Sequence, residues 1–320
     1  MRRFNQLWIA VGLAALATGS TAGAQEGTTL QLGANAPVLG PHRFSPISTL
    51  KHPFMKTFVR STLGGGQAND VNLGTVVVGN DTLVDLEGDL LFLQLQFEYQ
   101  HAVKDWIAAR VEVDVGGRLG TDVGSLVADG IRTSVGYELG WLLRLFNSDR
   151  VLLAGDLFLT NQSFTVIDLQ RFVDDILAGD PASLVRSSPS VRGGGGVRFG
   201  WGVSRLFGLT AVSEVAYGES PLAGQANQWT FGTGVTGDFD LNAVTPVPFG
   251  ISLGARIDRY PRIGDNTDDA LISTALTIAY NGHRDFLIGI ESRVERFRLT
   301  RGSPSTVVGQ TIALTTQYFF

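Results

Sequence analysis

Acidic and basic side chains recur at every second position through much of this 320-residue chain, and that spacing decides what chemistry is open to them. Glu98, Arg110, Glu112 and Asp114 alternate with Leu93, Leu95, Phe97, Tyr99 and with Ala109, Val111, Val113, Val115. The same pattern supplies Arg132, Glu138, Arg144, Asp156, Arg198, Glu214, Asp238, Arg256, Asp258, Glu291, Arg293 and Glu295. Alternation at a period of two puts charges on one face of a strand and apolar groups on the other. If such strands close into a barrel with the polar face inward, the charges have two uses. They can line a watery path and screen solutes, or they can pair across strands and help to stiffen or plug a narrow lumen. Both signs are present, so simple charge preference is not expected, and a polar lumen face argues against a hydrophobic channel.

Other chemistry has less support. The histidines are His42, His52, His101 and His283, and no G-x-S-x-G elbow marks a nucleophile for any of them. They read as turn or interface residues at one end of the strands. No catalytic residue is assigned, and a lipid-modifying enzyme ranks behind the other readings. Asp265, Asp268 and Asp269 form an acidic loop that could meet a divalent cation, but the spacing is not that of a calcium loop, and no metal site or cofactor is expected. Arg192 followed by Gly193–Gly196 lacks the Lys-Ser/Thr ending of a phosphate loop. There is no cysteine, which excludes a disulfide framework, thiolate metal sites and a lipidated N-terminal cysteine. A formal charge of −5 and the lack of a basic run give no footing to nucleic acid.

The elements that must carry these charges follow from the periodicity. Twelve alternating strands are expected, near 54–63, 89–101, 106–118, 131–145, 150–162, 194–204, 207–219, 228–240, 248–260, 269–281, 285–298 and 307–320. In the first, Lys56, Phe58 and Arg60 would face inward and Met55, Thr57 and Val59 outward. Connections alternate short and long. The short ones lie at 103–105, 147–149, 205–206, 241–247 and 282–285. The long ones lie at 64–88, 119–130, 163–193, 219–227, 261–268 and 299–306. Asn281-Gly282 is a hairpin signal. Aromatic residues collect near the expected strand ends: Trp141, Trp201, Phe207, Phe249, Phe286, Tyr318 and Phe320 at one rim, Tyr217, Trp229 and Phe231 at the other. In the loop 163–193, Ile167, Phe172, Val173, Ile176 and Leu177 have helical spacing, and this segment, with Phe172, Asp174 and Asp175, is a candidate constriction loop.

Residues 1–24 carry Arg2 and Arg3, an apolar stretch Leu7–Leu16 and Ala22-Gly23-Ala24, the layout of a cleaved secretory signal. Residues 25–51 read as an irregular periplasmic extension or a segment entering the lumen. The remaining 52–320 form the barrel. A closed antiparallel barrel is the one sheet that can cross a bilayer, because every backbone polar group is paired internally.

Ala22-Gly23-Ala24, the alternating hairpins and the terminal Gln317-Tyr318-Phe319-Phe320 together resemble the bacterial outer-membrane β-barrel proteins as a class, over about residues 52–320. The resemblance implies an outer-membrane location, contact with its lipid, and assembly by the barrel-assembly machinery through the last strand ending in Phe320. It names no solute. The expectation is a channel for small polar or amphipathic solutes, or else a closed structural barrel whose outer loops bind a partner.

Overall fold

The structure, a computed structural model, describes residues 36–45, 50–78, 81–121, 131–167, 176, 178–179, 185–219, 227–259, 270–297 and 307–320. Two short strands, β1 (Val38–Leu39) and β2 (His42–Arg43), pair as a hairpin around Gly40, whose φ of 56° suits glycine. Twelve longer strands follow: β3 (Phe58–Val78), β4 (Asp81–Lys104), β5 (Ile107–Gly120), β6 (Ile131–Asn147), β7 (Val151–Ile167), β8 (Val185–Gly202), β9 (Phe207–Gly218), β10 (Gln228–Asp240), β11 (Phe249–Arg259), β12 (Ala270–Tyr280), β13 (Phe286–Phe297) and β14 (Val307–Phe319). Each pairs antiparallel with its chain neighbours, and β14 closes on β3 from Gln310↔Gln67 to Phe319↔Phe58, leaving a closed barrel. The expected strand count and class are those of the structure.

Alternation dictates which face each residue takes. On β12, Ser273, Ala275, Thr277 and Ala279 are buried while Ile272, Leu276 and Ile278 are exposed. Leu93, Leu253 and Ile312 are each at least 60 % exposed, and Leu95, Phe97, Leu139, Val197, Leu314 and many others join them in a continuous apolar outer band. Such a band on a water-soluble molecule would far exceed the patches monomers tolerate. Against hydrocarbon it is the expected surface. Aromatic pairs mark its ends: Phe207–Phe239, Phe249–Tyr280 and Tyr318–Phe320 at the short-turn rim, Tyr217–Trp229 near the other, with ring centroids 4.9–5.9 Å apart.

Three expectations need correction. The stretch 64–88 is not a loop. β3 and β4 run on as a hairpin from Val71↔Gly88 to Val78↔Asp81, with register shifts near Ala68, Asn72 and Val76. Runs such as Val76-Val77-Val78 favour extended backbone, and a hairpin satisfies that backbone well beyond the ~10 residues a bilayer needs. Likewise β7 and β8 pair out to Ile167↔Val185, so Ile167 is in a strand, not a helix. Ile176 and Ala178 are helical, whereas Phe172, Asp174 and Asp175 lie outside the described residues. Finally, β3 begins at Phe58, and Met55, expected to face out, packs inside against Ala108, Leu142 and Ala154. Residues 1–35 and the acidic loop with Asp265, Asp268 and Asp269 also lie outside the described residues.

Candidate functional site

The described residues from 36 to 57 run inside the barrel, in the half that holds the short turns. The wall makes room for them with inward-facing glycines. A Cβ on Gly202 would run into the Leu39 carbonyl, on Gly208 into the His42 ring, on Gly234 into Leu50 and on Gly250 into Ser45. Leu39, Phe44 and Phe54 form a buried cluster with Leu152 of β7, and Leu50 packs on Val212 of β9. The abundance of glycine thus has a local cause: the lumen must accept a second layer of its own chain.

Polar contacts fix this segment to nearly every side of the wall. His42 Nε2 lies 3.0 Å from Asp238 Oδ1, and its Nδ1 lies 3.1 Å from the Arg205 carbonyl. The Ser45 N–H donates to Asp238 Oδ2 at 2.9 Å, and Ser252 Oγ donates to the Ser45 carbonyl at 3.1 Å. Arg43 donates to the carbonyls of Asn281 and His283 in a short turn. From the wall, Arg198 Nη1 donates to the His52 carbonyl at 3.1 Å, and Gln100 Nε2 donates to the carbonyls of Phe54 and Lys56 at 2.7 and 2.8 Å. Irregular backbone at this depth is tolerated only when protein partners satisfy it, and these side chains do so. Burial holds the His52 imidazole far below its ordinary value, at about 3, so the ring is neutral at physiological pH.

The register arranges the predicted charges into rows. Glu98, Glu112 and Glu138 stand directly opposite one another on β4, β5 and β6. Like charges so placed repel. Arg110, one pair nearer the short turns, answers them: it contacts Glu112 at 2.9 Å, Glu138 more closely and Glu98 at 3.9 Å. Gly140 leaves the room its guanidinium occupies. Arg60 pairs with Glu98 from β3. A second row runs Asp156–Gly196–Glu214–Gly232–Asp258 across β7 to β11, acids alternating with glycines. Arg198 neutralises Asp156, donating from Nε at 3.1 Å, and Arg256 lies 3.1 Å from Glu214 and 2.8 Å from Asp258. Lys51 of the inward segment joins the two rows, 2.7 Å from Glu138 and 3.3 Å from Glu214, with its ammonium 4.8 Å from the centre of the Phe158 ring.

Above Lys51 the lumen opens. One chamber of about 200 Å³ is lined by Lys51, Glu138, Phe158, Thr160, Arg256 and Asp258. A second, of about 440 Å³, is lined by Gln94, Asp114, Arg118, Ser134 and Glu295. Gln162 borders both.

The remaining predicted lumen residues fall into place around this core. Glu291, Arg293 and Glu295 form their own cluster on β13, at 2.7 and 3.3 Å. Asp238 is committed to the inward segment. Arg144 reaches instead toward the short turn, 2.6 Å from exposed Asp105. Arg132 is paired through its backbone with Arg118. His42 and His52, expected at the short-turn end in an extension or a segment entering the lumen, are inside the barrel, while His101 stacks beside Tyr99 and His283 sits in a turn. Lys51, Ser45, Ser252 and Gln100 carry no signal of their own in the sequence. The usable signal was the inward-facing glycines of β8 to β11, whose positions alternate with the acids.

No family model matches the chain, and no curated protein matches it. Among solved structures it is similar to an outer-membrane channel from Pseudomonas putida F1, with a TM-score of 0.51 and 11 % identity over 86 % of this chain and 99 % of that one. It is also similar to the translocator domain of the autotransporter NalP from Neisseria meningitidis, at a TM-score of 0.48 and 11 % identity over 85 % and 91 % of the chains. A third likeness is to the NanC porin, at 0.47 and 10 % over 82 % and 99 %. The closed twelve-strand barrel, its apolar outer band and the first of these likenesses give this chain the fold of the bacterial outer-membrane β-barrel proteins.

Proposed function

We propose that this protein is an outer-membrane channel for small polar or amphipathic solutes, closed at its short-turn end by its own residues 36–45 and 50–57 and open when they shift. The observation that carries the reading is the contrast inside one lumen: a vestibule with room for solute above Lys51, and a segment below it held by hydrogen bonds and ion pairs rather than by a continuous apolar core. Each such bond is worth about 1 kcal/mol net, so the segment opens only when several of them are released together. The chain has the long loops on the vestibule side, which is the outer side in barrels of this kind. Assembly through the terminal strand ending in Phe320, and contact of the outer band with lipid, belong to the same proposal.

The chain has no cysteine, so a lock can be installed cleanly. A Cβ built on Gly250 lies 3.3 Å from the Ser45 Cβ, near the spacing a disulfide needs. In planar bilayers the Ser45→Cys, Gly250→Cys double variant is expected to conduct when reduced and to fall silent when oxidised. Equal conductance in both states would overturn the gate. Silence in both, repeated in a variant whose segment is displaced, would favour the second reading, a closed barrel whose outer loops engage a partner. The pairing of Lys51 with Glu138 and Glu214, and of Arg198 with Asp156, around the inward segment is the observation on that side.

A further inference from the structure

The Lys51 side chain ends in a seat assembled from three strands of the wall. Its ammonium lies 2.7 and 3.0 Å from the two carboxylate oxygens of Glu138 on β6 and 3.3 Å from Oε1 of Glu214 on β9. The Phe158 ring on β7 has its centre 4.8 Å away. Two acids and an aromatic face around one nitrogen are a recognition set for an alkylammonium. The seat is reachable, because Lys51, Glu138, Phe158 and Glu214 all line the chamber of about 200 Å³. It is also imperfectly filled. Glu214 Oε1 is buried and, although the ammonium is 3.3 Å away, makes no hydrogen bond among the described residues. The tether of Lys51 thus leaves one acceptor of its own seat unused. An untethered ammonium, free to turn, can give N–H groups to Glu138 and Glu214 together.

We propose that this seat binds the primary ammonium group of a small aliphatic amine, and that Lys51 is the built-in occupant which such a solute displaces. The inference rests on the channel reading and names a solute class for it. Charge and hydrogen bonding narrow the ligand. An anion would meet two carboxylates. Arg110 contacts Glu138 and Arg256 contacts Glu214, so a divalent metal ion in the seat would face two guanidinium groups. A quaternary ammonium has no N–H for the Glu138 oxygens. Displacement has a mechanical consequence. Lys51 belongs to the inward segment, and its ion pairs tie that segment to β6 and β9. An amine that takes the seat releases the tie, so arriving solute weakens the seal beneath it. The tethered ammonium competes at an effective concentration of roughly millimolar, so displacement begins at comparable amine levels.

Calorimetric titration of n-butylammonium, the lysine side chain without its backbone, into the refolded barrel in detergent micelles tests this. Lys51→Ala empties the seat and should bind the probe. The parent protein should bind it about tenfold more weakly or worse, because the tethered group competes. Neither should bind 1-butanol, which has the same shape without the charge. Equal binding to parent and variant, butanol binding as tight as the amine, or no binding to folded Lys51→Ala would overturn the proposal. Adding Glu214→Gln to Lys51→Ala should weaken binding roughly tenfold or more, and unchanged binding would overturn the two-acid seat. Should Lys51→Ala fail to fold, Lys51→Met keeps most of the stem and lacks the ammonium; methylammonium is then the probe, with the same expectations. In planar bilayers, millimolar butylammonium should raise the opening of the parent and not of Lys51→Ala; unchanged opening of a conducting parent would overturn the displacement. Binding in micelles is read whether or not the barrel conducts. Binding without conductance would therefore leave the seat standing and sink the channel, and conductance without binding would do the reverse.

Discussion

The two halves of the lumen are built from the same strands and the same alternation, yet they differ in nearly every property that matters. At the short-turn half the wall charges are buried: Arg198 is 1 % exposed and Asp238 2 %, and each has partners both on the wall and on the inward segment. At the long-loop half the charges border open chambers, with Arg256 and Asp258 nearly a fifth exposed and paired mainly with each other. Inward glycines serve both halves differently. Gly202, Gly208 and Gly250 admit backbone and side chains of residues 39–45, whereas Gly232 admits the guanidinium group of Arg256. Similar composition can therefore give a seal or a vestibule. What decides is whether the chain returns to fill the space.

The largest test of that contrast removes a charge from each half. Arg198→Met should destabilise the barrel by about 3–5 kcal/mol, because it leaves the buried Asp156 with the more distant Arg110, 3.8 Å away, and withdraws a donor from the His52 carbonyl. Arg256→Met, in the half that borders the chambers, should cost less, about 1–3 kcal/mol, because Glu214 keeps Lys51 as a partner. Urea unfolding in detergent micelles measures both, and equal losses would erase the distinction. Next, Gly208→Leu places a side chain where the His42 ring sits. Overpacking of this kind costs about 1–3 kcal/mol, here charged to the docked segment alone, so open time in planar bilayers should rise roughly tenfold or more.

Acid should act in the same direction. Because the docked His52 titrates at about 3 and a released one near 6.5, the released state binds the extra proton between these values. Docking is therefore fully favourable above pH 6.5 and weakens by about 1.4 kcal/mol per pH unit as pH falls toward 3. Channel openings should grow more frequent on acidification, and His52→Phe should flatten that response. The smallest effect belongs to the outer band. Ile278→Val removes one methylene from a lipid-facing position and should cost less than about 1 kcal/mol with no change in conductance. A changed conductance would mean that the outer wall and the lumen are coupled.

Strand number, the sense of each face and the antiparallel meander were legible in the sequence. A period of two is a local property: Leu276 and Ile278 face out wherever Thr277 faces in. Short turns and long loops then order the hairpins without further information. Ile167 falls out of the helical spacing read over Ile167–Leu177, because the pairing of β7 with β8 continues to Ile167↔Val185 and a strand partner overrides a weak local pattern, whereas Ile176 is helical. The length of the β3–β4 hairpin was hidden for a similar reason: glycines at 64–66 look like a turn until their cross-strand partners are known.

The sequence by itself determined an amphipathic barrel with mixed charge inside and an aromatic-rimmed apolar band outside, since these follow from alternation along single strands. Only the tertiary structure decided that Glu98, Glu112 and Glu138 form one row, that Arg110 and Lys51 neutralise it, and that residues 36–45 and 50–57 occupy the lumen. Those facts depend on contacts such as Lys51 with Glu214 and Ser45 with Asp238, which bring together residues 163 and 193 positions apart. No periodicity encodes such a pairing. Closure of the barrel sets the height at which each strand meets its neighbour, and that height selects which charges share a row and which glycines leave a space for the returning chain.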